Sequence, residues 1–463
     1  MGLCENHAEE LGVMGNVFAA GMDYLRKEGL GKFIERIVRW PLEYLRWKRI
    51  WIQSWLCRNV GFYGRYAALH TLKKKSKVDS CVKFKKIDGG LAFCKRTGQP
   101  YEILNDKEKI EVVRAACFEK RKPEKTLFDS PPIYLTVFQE ADVYGATNLV
   151  TVKDTALSDM AYIDRGKNRY EIAAGAIIGM HKDGRWLQAA YRATDKVIDK
   201  AINCVGWACT NYYHFTFEIL SRLMYVDGRS EYKDFPILVD AGALAIPQMK
   251  DMLDRVNLYH HPIISVGEYE RVHIKHLVYV SRNLWMAPGM RKGIIAGAQD
   301  YLMSRSMAEH IRSRILEESM QGRRKSSGRK IFLSRRNCKV QRLSNTDEVE
   351  RIFADNGYRM VFTEEMSYDE QVELFNNADV IVGVTGAAFT NIVYCHEGTQ
   401  IGIIISDGQP AYFYSNIANM IKAEFTVLGA DLVQNGEQIS LDIFRLDPAK
   451  CRRFIRMIEE NDR

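Results

Sequence analysis

Gly383-Val384-Thr385-Gly386-Ala387-Ala388-Phe389-Thr390-Asn391 follows directly on the run Ala378-Asp379-Val380-Ile381-Val382. A strand that is apolar on both faces belongs inside a parallel sheet. A glycine-rich turn at its carboxyl end is where a βα crossover presents a helix N-terminus, whose N–H groups and dipole favour an anion. Working outward, Ile331-Phe332-Leu333 reads as an earlier strand. Val349, Ile352 and Phe353 then recur at helical spacing, with Asn345 and Glu348 as a capping box. Residues 358–362 read as the next strand. Ser367-Tyr368-Asp369-Glu370 is a second capping box, opening a helix that buries Val372, Leu374 and Phe375. After the turn a short helix is expected through Ile392 to Tyr394, and residues 401–405 form a further buried strand. Upstream, residues 235–240 and 276–280 are strand-like with a helix at 249–253 between them, and a last helix follows Asp447. These spacings alone predict a doubly wound α/β protein.

A second block lies far upstream: Asn211-Tyr212-Tyr213-His214-Phe215-Thr216-Phe217-Glu218-Ile219-Leu220-Ser221-Arg222-Leu223. It resembles the Asn-Tyr-Tyr-His-Trp…Glu…Leu-Pro-Arg-Leu stretch of glycosyltransferase family 61. The run Ile331-Phe332-Leu333-Ser334-Arg335, then Arg342, Asn345, Ser367, Gln371, the 378–383 strand, Gly386-Ala387, Thr390 and Asn391 is similar to the same family's catalytic domain. The resemblance covers roughly residues 130–440. It implies a GT-B-like fold, two Rossmann-like domains facing a cleft, and an inverting transfer of a sugar from a nucleotide diphosphate donor, UDP-linked, to a glycan acceptor in surface or capsular polysaccharide synthesis. Four positions depart from the family pattern: Thr385 stands where a histidine is usual, Phe215 for Trp, Ser221 for Pro, and Gly402 for an acidic residue. Altered sugar specificity and lost catalysis both remain open, and a non-catalytic nucleotide- or glycan-binding scaffold at the membrane is the alternative.

Transfer from a nucleotide sugar needs a neutralised diphosphate, a base for the acceptor hydroxyl and a cleft that excludes water. The chain has no Asp-x-Asp motif, so a metal-independent route is expected, with no cofactor beyond the nucleotide sugar. Arg335, at the end of the first donor-domain strand, is the expected cation, since a guanidinium forks onto phosphate oxygens. Its bland alternative is a surface ion pair. Gly386, Ala387 and Ala388 would bind the same diphosphate through backbone N–H groups, with Thr385 and Asn391 beside them, although glycines also serve close packing. His214 and Glu218, at i and i+4, share a helical face. A histidine can take the acceptor's proton, while the carboxylate can orient the ring or be the base itself. Read without the family, the pair is a capped histidine and a solvated glutamate. Arg222 is placed to contact a phosphate or an acidic acceptor, and Asp240, at a strand end, is a reserve base.

Three parts are expected: residues 1–80 as a basic, Trp-rich helical extension; 81–304 as the acceptor-side α/β domain; 305–463 as the nucleotide-sugar domain with its terminal helix. Residues 321–330 read as an exposed loop. Four of the seven tryptophans, Trp40, Trp47, Trp51 and Trp55, fall on one face of a helix among Arg36, Arg39, Arg46, Lys48, Arg49 and Arg58. Indoles beside basic side chains suit an anionic membrane surface, so residues 36–58 are a candidate peripheral anchor. The alternative is a stripe packed on the enzyme's own domain. Lys73, Lys74, Lys75 and Lys77 add to the net charge of +8. The ten cysteines carry no Cys-x-x-Cys spacing, so neither a zinc site nor a disulfide framework is signalled. With no signal-like segment in residues 1–20, the expected location is cytoplasmic, peripheral on the inner face of the membrane. Nucleic acid is not an expected partner, because no basic recognition motif is present.

Overall fold

The computed structural model describes residues 78–461, apart from 173, 181–183, 292–293, 320–328, 339–340, 410 and 435–441. The tryptophan-rich 36–58 segment and the lysines at 73–77 lie outside the described residues, as do residues 321–328 of the expected loop, whereas 329 and 330 are not loop but the start of a strand, Arg329–Leu333. Residues 77–463 form one compact unit. Among the described residues, no helix is long and apolar enough to cross a membrane.

Two sheets organise this unit. The first has nine strands: β1 Lys86–Asp88, β2 Tyr101–Asn105, β3 Ile133–Tyr144, β4 Val150–Val152, β5 Thr155–Leu157, β6 Val197–Cys204, β7 Ile237–Asp240, β8 Ile263–Val266 and β9 Arg271–Val280. Their spatial order is β8-β7-β6-β9-β3-β4-β5-β1, with β2 paired to β3. β8, β7, β6 and β9 are mutually parallel. The chain steps outward from β6 to β7 to β8, then returns as β9 on the other flank of β6. That reversal makes a topological switch point, the crevice where open α/β sheets take ligands beyond the carboxyl ends of their strands.

The second sheet contains β10 Arg329–Leu333, β11 Arg359–Val361, β12 Ala378–Val384, β13 Gln400–Ser406, β14 Glu424–Gln434 and β15 Ile443–Arg445, in the order β11-β10-β12-β13-β14-β15. All pairs are parallel except β14 with β15. Its switch point lies between β10 and β12. β12 and β13 are almost wholly buried, as a central place between parallel neighbours requires.

Helices follow the apolar periodicity: α1 Pro247–Val256, α2 Arg305–Ser319, α3 Thr346–Asp355, α4 Tyr368–Asn376, α5 Tyr412–Met420 and α6 Pro448–Asn461. α3 buries Val349, Ile352 and Phe353. α4 starts with the expected capping box, in which Ser367 Oγ accepts Glu370 N–H and the Glu370 carboxylate accepts Ser367 N–H. The corresponding box at Asn345 does not form. The Asn345 carboxamide instead pairs with the backbone of Leu446, donating to its carbonyl at 2.9 Å and accepting its N–H at 3.2 Å. An amide that can both donate and accept is better satisfied by a peptide group than by one orphan N–H.

The sheets share a core. One apolar cluster joins Ile202, Val239 and Val278 of the first sheet to Ile331, Ile381, Ile403 and Val427 of the second through Phe217, Leu223, Ile311, Phe389 and Ile392. Each such buried side chain contributes about 1.5–3 kcal/mol. A hairpin of residues 109–114 and 124–129, early in the chain, also reaches the second sheet. Ala116 and Cys117 at its tip add a short parallel partner to β14. Val113 donates to Asn416 Oδ1 at 2.9 Å and accepts from Ser415 Oγ at 2.6 Å, fastening the hairpin to α5. Gly402 lies in β13, where a side chain would meet the Phe454 ring of α6 at 2.7 Å. Close packing of α6 on the sheet is therefore what this position requires.

Candidate active site

Arg335 leaves the carboxyl end of β10 and Gly386 the carboxyl end of β12, the two strands that flank the second switch point. A Cβ added to Gly386 would stand 2.0 Å from Arg335 Nη1, so the guanidinium lies directly against the glycine turn. Gly386 has φ 175°, which is extended backbone, and its role is the missing side chain. A 3₁₀ helix, Ala387–Tyr394, starts here in place of a regular α-turn. Its first hydrogen bond runs from Phe389 N–H to Gly386 O, so the N–H groups of Ala387 and Ala388 precede it. Thr385 N–H is committed to Ile404 O at 2.9 Å. Tyr414, from α5, donates to the Gly386 carbonyl at 2.8 Å. Burial pushes the Tyr414 hydroxyl up to about 12 against the opposing pull of Arg335 and Arg342. Arg342 is 6% exposed, and burial, with the like charge of Arg335 second, lowers its pKa. Arg335 thus lies against the glycine turn, while Arg342 sits over the Phe444 ring with its Nε towards Asp442 O, near enough to act electrostatically on Tyr414, and the joint positive charge favours an anion.

His214 and Glu218 lie beyond the carboxyl end of β6, at the first sheet's switch point. Asn211 caps a single α-turn, Tyr212–His214, by accepting the Tyr213 N–H, and residues Phe215–Ile219 widen into a π-helix. Such widened turns recur at functional sites because they re-aim side chains. Here His214 Nδ1 meets Glu218 Oε2 at 2.9 Å. Glu218 is fully buried. Its other oxygen takes Arg282 Nη2 at 2.8 Å and Asn148 Nδ2 at 2.8 Å. Burial would raise this carboxyl, but Arg282, His214 and Arg222 outweigh it and hold it down at about 2. An ionised carboxylate can only accept, so Nδ1 donates to it and Nε2 is the ring nitrogen turned away from Glu218. Among the described residues no protein group is hydrogen-bonded to Nε2. The Trp207 ring stands edge-on to the imidazole at 4.7 Å.

The two motifs meet in space. Tyr212 donates to Asn391 Oδ1 at 2.7 Å, and Asn391 Nδ2 donates to Gln371 Oε1 at 2.8 Å. The Tyr213 ring lies 6.4 Å from that of Tyr414. Through these contacts the histidine turn packs against the 3₁₀ helix and α5, the elements that border the arginine-glycine turn.

Other residues singled out in the sequence take different places. Asn391 is fully buried and ties the 3₁₀ helix to α4 and to Tyr212. Arg222 is 3% exposed; it donates to Val205 O at 2.8 Å and to Asn148 Oδ1 at 3.2 Å, standing behind Glu218. Asp240 is 2% exposed, and its two oxygens accept the N–H groups of Ala146 at 2.6 Å and Gly206 at 2.9 Å, with burial pushing it up to about 7. Ser221, where the family pattern has Pro, donates to Phe217 O and accepts Asn283 Nδ2 at 2.7 Å. Sequence reading missed Arg282, Tyr414 and Asn148. Arg282 had one available signal, a charged residue directly after the apolar end of β9. Tyr414 and Asn148 had none, because their roles depend on tertiary contacts.

Among the described residues no three His, Cys, Asp or Glu side chains cluster as metal ligands, and the cysteines described are all free. No curated protein matches the chain. Residues 212–402, which begin in the histidine turn and end in β13, match the family described as Glycosyltransferase 61, and that match supports reading the chain as a glycosyltransferase.

Proposed function

We propose that the chain moves a sugar from a nucleotide diphosphate donor, UDP-linked, to a glycan acceptor in surface or capsular polysaccharide synthesis, with inversion and without a metal ion. The observation that carries this reading is Arg335 lying against Gly386 at one switch point while His214, with its Nδ1 on Glu218, stands at the other. In a GT-B manner the second sheet takes the nucleotide and the first takes the acceptor. Arg335, Arg342 and the N–H groups of Ala387 and Ala388 neutralise the diphosphate. His214 Nε2 accepts the proton of the acceptor hydroxyl. The freed oxygen attacks the anomeric carbon from the face opposite the diphosphate, and the bond from that carbon to the diphosphate oxygen breaks as the new glycosidic bond forms. Glu218 stabilises the imidazolium that results, as a buried carboxylate does for a neighbouring ring. In the same reading the enzyme works in the cytoplasm, held at the inner face of the membrane by residues 36–58.

The test is nucleotide diphosphate release across a panel of nucleotide sugars with candidate glycan acceptors, with and without chelator. Donor-selective release that persists in chelator and collapses in Arg335→Ala is expected. Release that stops on chelation would refute the metal-free route, and binding without release from any donor would refute the assigned transfer.

A further inference from the structure

We infer that Arg282 is a positioning residue for the transfer: it clamps Glu218 so that His214 holds its proton on Nδ1 and presents Nε2 to the acceptor. The inference rests on the assignment of His214 as the base. Arg282 follows β9 and His214 follows β6, so the clamp closes the switch point of the first sheet from its two sides. The side chain is 6% exposed and its partner carboxylate is fully enclosed. Two hydrogen bonds and an ion pair fix it: Nε donates to Leu284 O at 3.2 Å, Nη2 donates to Met286 O at 2.8 Å, and Nη2 pairs with Glu218 Oε1 at 2.8 Å. Two backbone carbonyls hold the guanidinium in place before any carboxylate arrives, and rigid support of this kind is what a catalytic dyad needs.

The surroundings define the charge balance. Arg222 approaches Glu218 from the same helical segment. Asp159, beyond Arg282, accepts the N–H of Gly90 and the hydroxyls of Tyr134 and Tyr279. Asp240 is tied to backbone N–H groups near Arg222, and Tyr213 adjoins the imidazole. Arg222, Arg282 and Asp159 border a cavity of about 10 Å³, room for a single water. With Arg282 6% exposed and Glu218 fully enclosed, solvent screens the pair weakly, and the cation at Arg282 opposes proton uptake by Glu218. Without it Glu218 would be a buried carboxylate short of its main opposing charge and a less certain acceptor for the ring N–H.

The experiment uses the full chain with Arg282→Gln, which removes the charge, and Arg282→Lys, which keeps it. Two profiles are measured: kcat/KM against pH for nucleotide release from UDP-sugars, and an NMR titration of the histidine ring signals, which needs no turnover. In Arg282→Gln the acid limb and the NMR midpoint are expected to move upward together. Arg282→Lys is expected to return both most of the way. Coincident midpoints for wild type and a folded Arg282→Gln would overturn the clamp. Should that variant not fold, Glu218→Gln/Arg282→Gln decides, because removing both charges relieves the uncompensated carboxylate. The double variant is expected to fold, and its failure would overturn the inference. His214→Ala retaining full turnover would remove the base assignment while leaving the NMR comparison to judge the clamp on its own.

Discussion

Gly386→Ala isolates the contact to which the proposed diphosphate binding is assigned. The new methyl would stand 2.0 Å from Arg335 Nη1 and 3.2 Å from its Cζ, whereas ordinary contact begins at 3.4 Å. The guanidinium tip must therefore retreat by about 1.4 Å (3.4 − 2.0). The backbone itself resists nothing, since φ 175° suits any residue, and the obstacle is the far end of a flexible side chain. Stability should thus be nearly unchanged. A displaced guanidinium loses its alignment on phosphate oxygens, and a charge-assisted hydrogen bond contributes about 1.5–3 kcal/mol, so UDP binding should weaken about 10- to 150-fold. Calorimetric titration with UDP, beside thermal unfolding, reads both quantities. Gly402→Ala is the control: its methyl meets Phe454 in the core, so overpacking should cost about 1–3 kcal/mol of stability while the folded protein keeps its affinity for UDP. Gly386→Ala added to Arg335→Ala should weaken binding little further, because both act through one group. UDP affinity within twofold of wild type in Gly386→Ala would refute the assignment of Arg335 to the diphosphate.

Three further outcomes are expected. His214→Ala should lower kcat for transfer by about 10²- to 10⁴-fold while UDP affinity stays put, and equal losses in both would point to a collapsed site. Glu218, held at about 2 against its ordinary 4.5, contributes stability that is complete above pH 4.5 and is lost as pH falls towards 2. Glu218→Gln should therefore unfold more readily in urea at neutral pH, where it leaves Arg282 buried without its anion, and show a flatter decline over that acid window; a parallel decline would contradict the ion-pair account. Ser367→Ala removes the oxygen that accepts Glu370 N–H and should cost about 0.5–2 kcal/mol in the denaturant midpoint, with no change in nucleotide affinity.

The second sheet was largely legible because its elements obey local rules. Ile331, Ile381 and Ile403 sit in short apolar runs, and the Ser367 box announces α4 from four residues. Asn345 shows where local rules stop: the same motif was outbid by Leu446, a partner about a hundred positions away. The histidine turn was recognisable by family resemblance, but its π-helical widening was not, since no spacing rule distinguishes a π-turn from an α-turn over five residues. Arg222 and Asp240 read as reactive groups because charged residues usually face water. The structure encloses both and pairs them with backbone groups and Asn148, although Arg222 Nε is left without a hydrogen-bond partner among the described residues. Arg282 and Tyr414 stayed silent because what places them is strand order, which is a property of the assembled sheet.

The hairpin at 109–129 sets a schedule for the protein's own making. Val113 finds its hydrogen-bond partner 303 positions later, at Asn416. At a ribosomal pace of about 5–20 residues per second, that partner emerges some 15–60 s after the hairpin does. For that interval Val112 and Ile110, fully covered in the finished molecule, have no second sheet to cover them. The nascent chain thus carries an exposed apolar edge through most of its synthesis, and chaperone supply should limit the yield of native enzyme more than its final stability does.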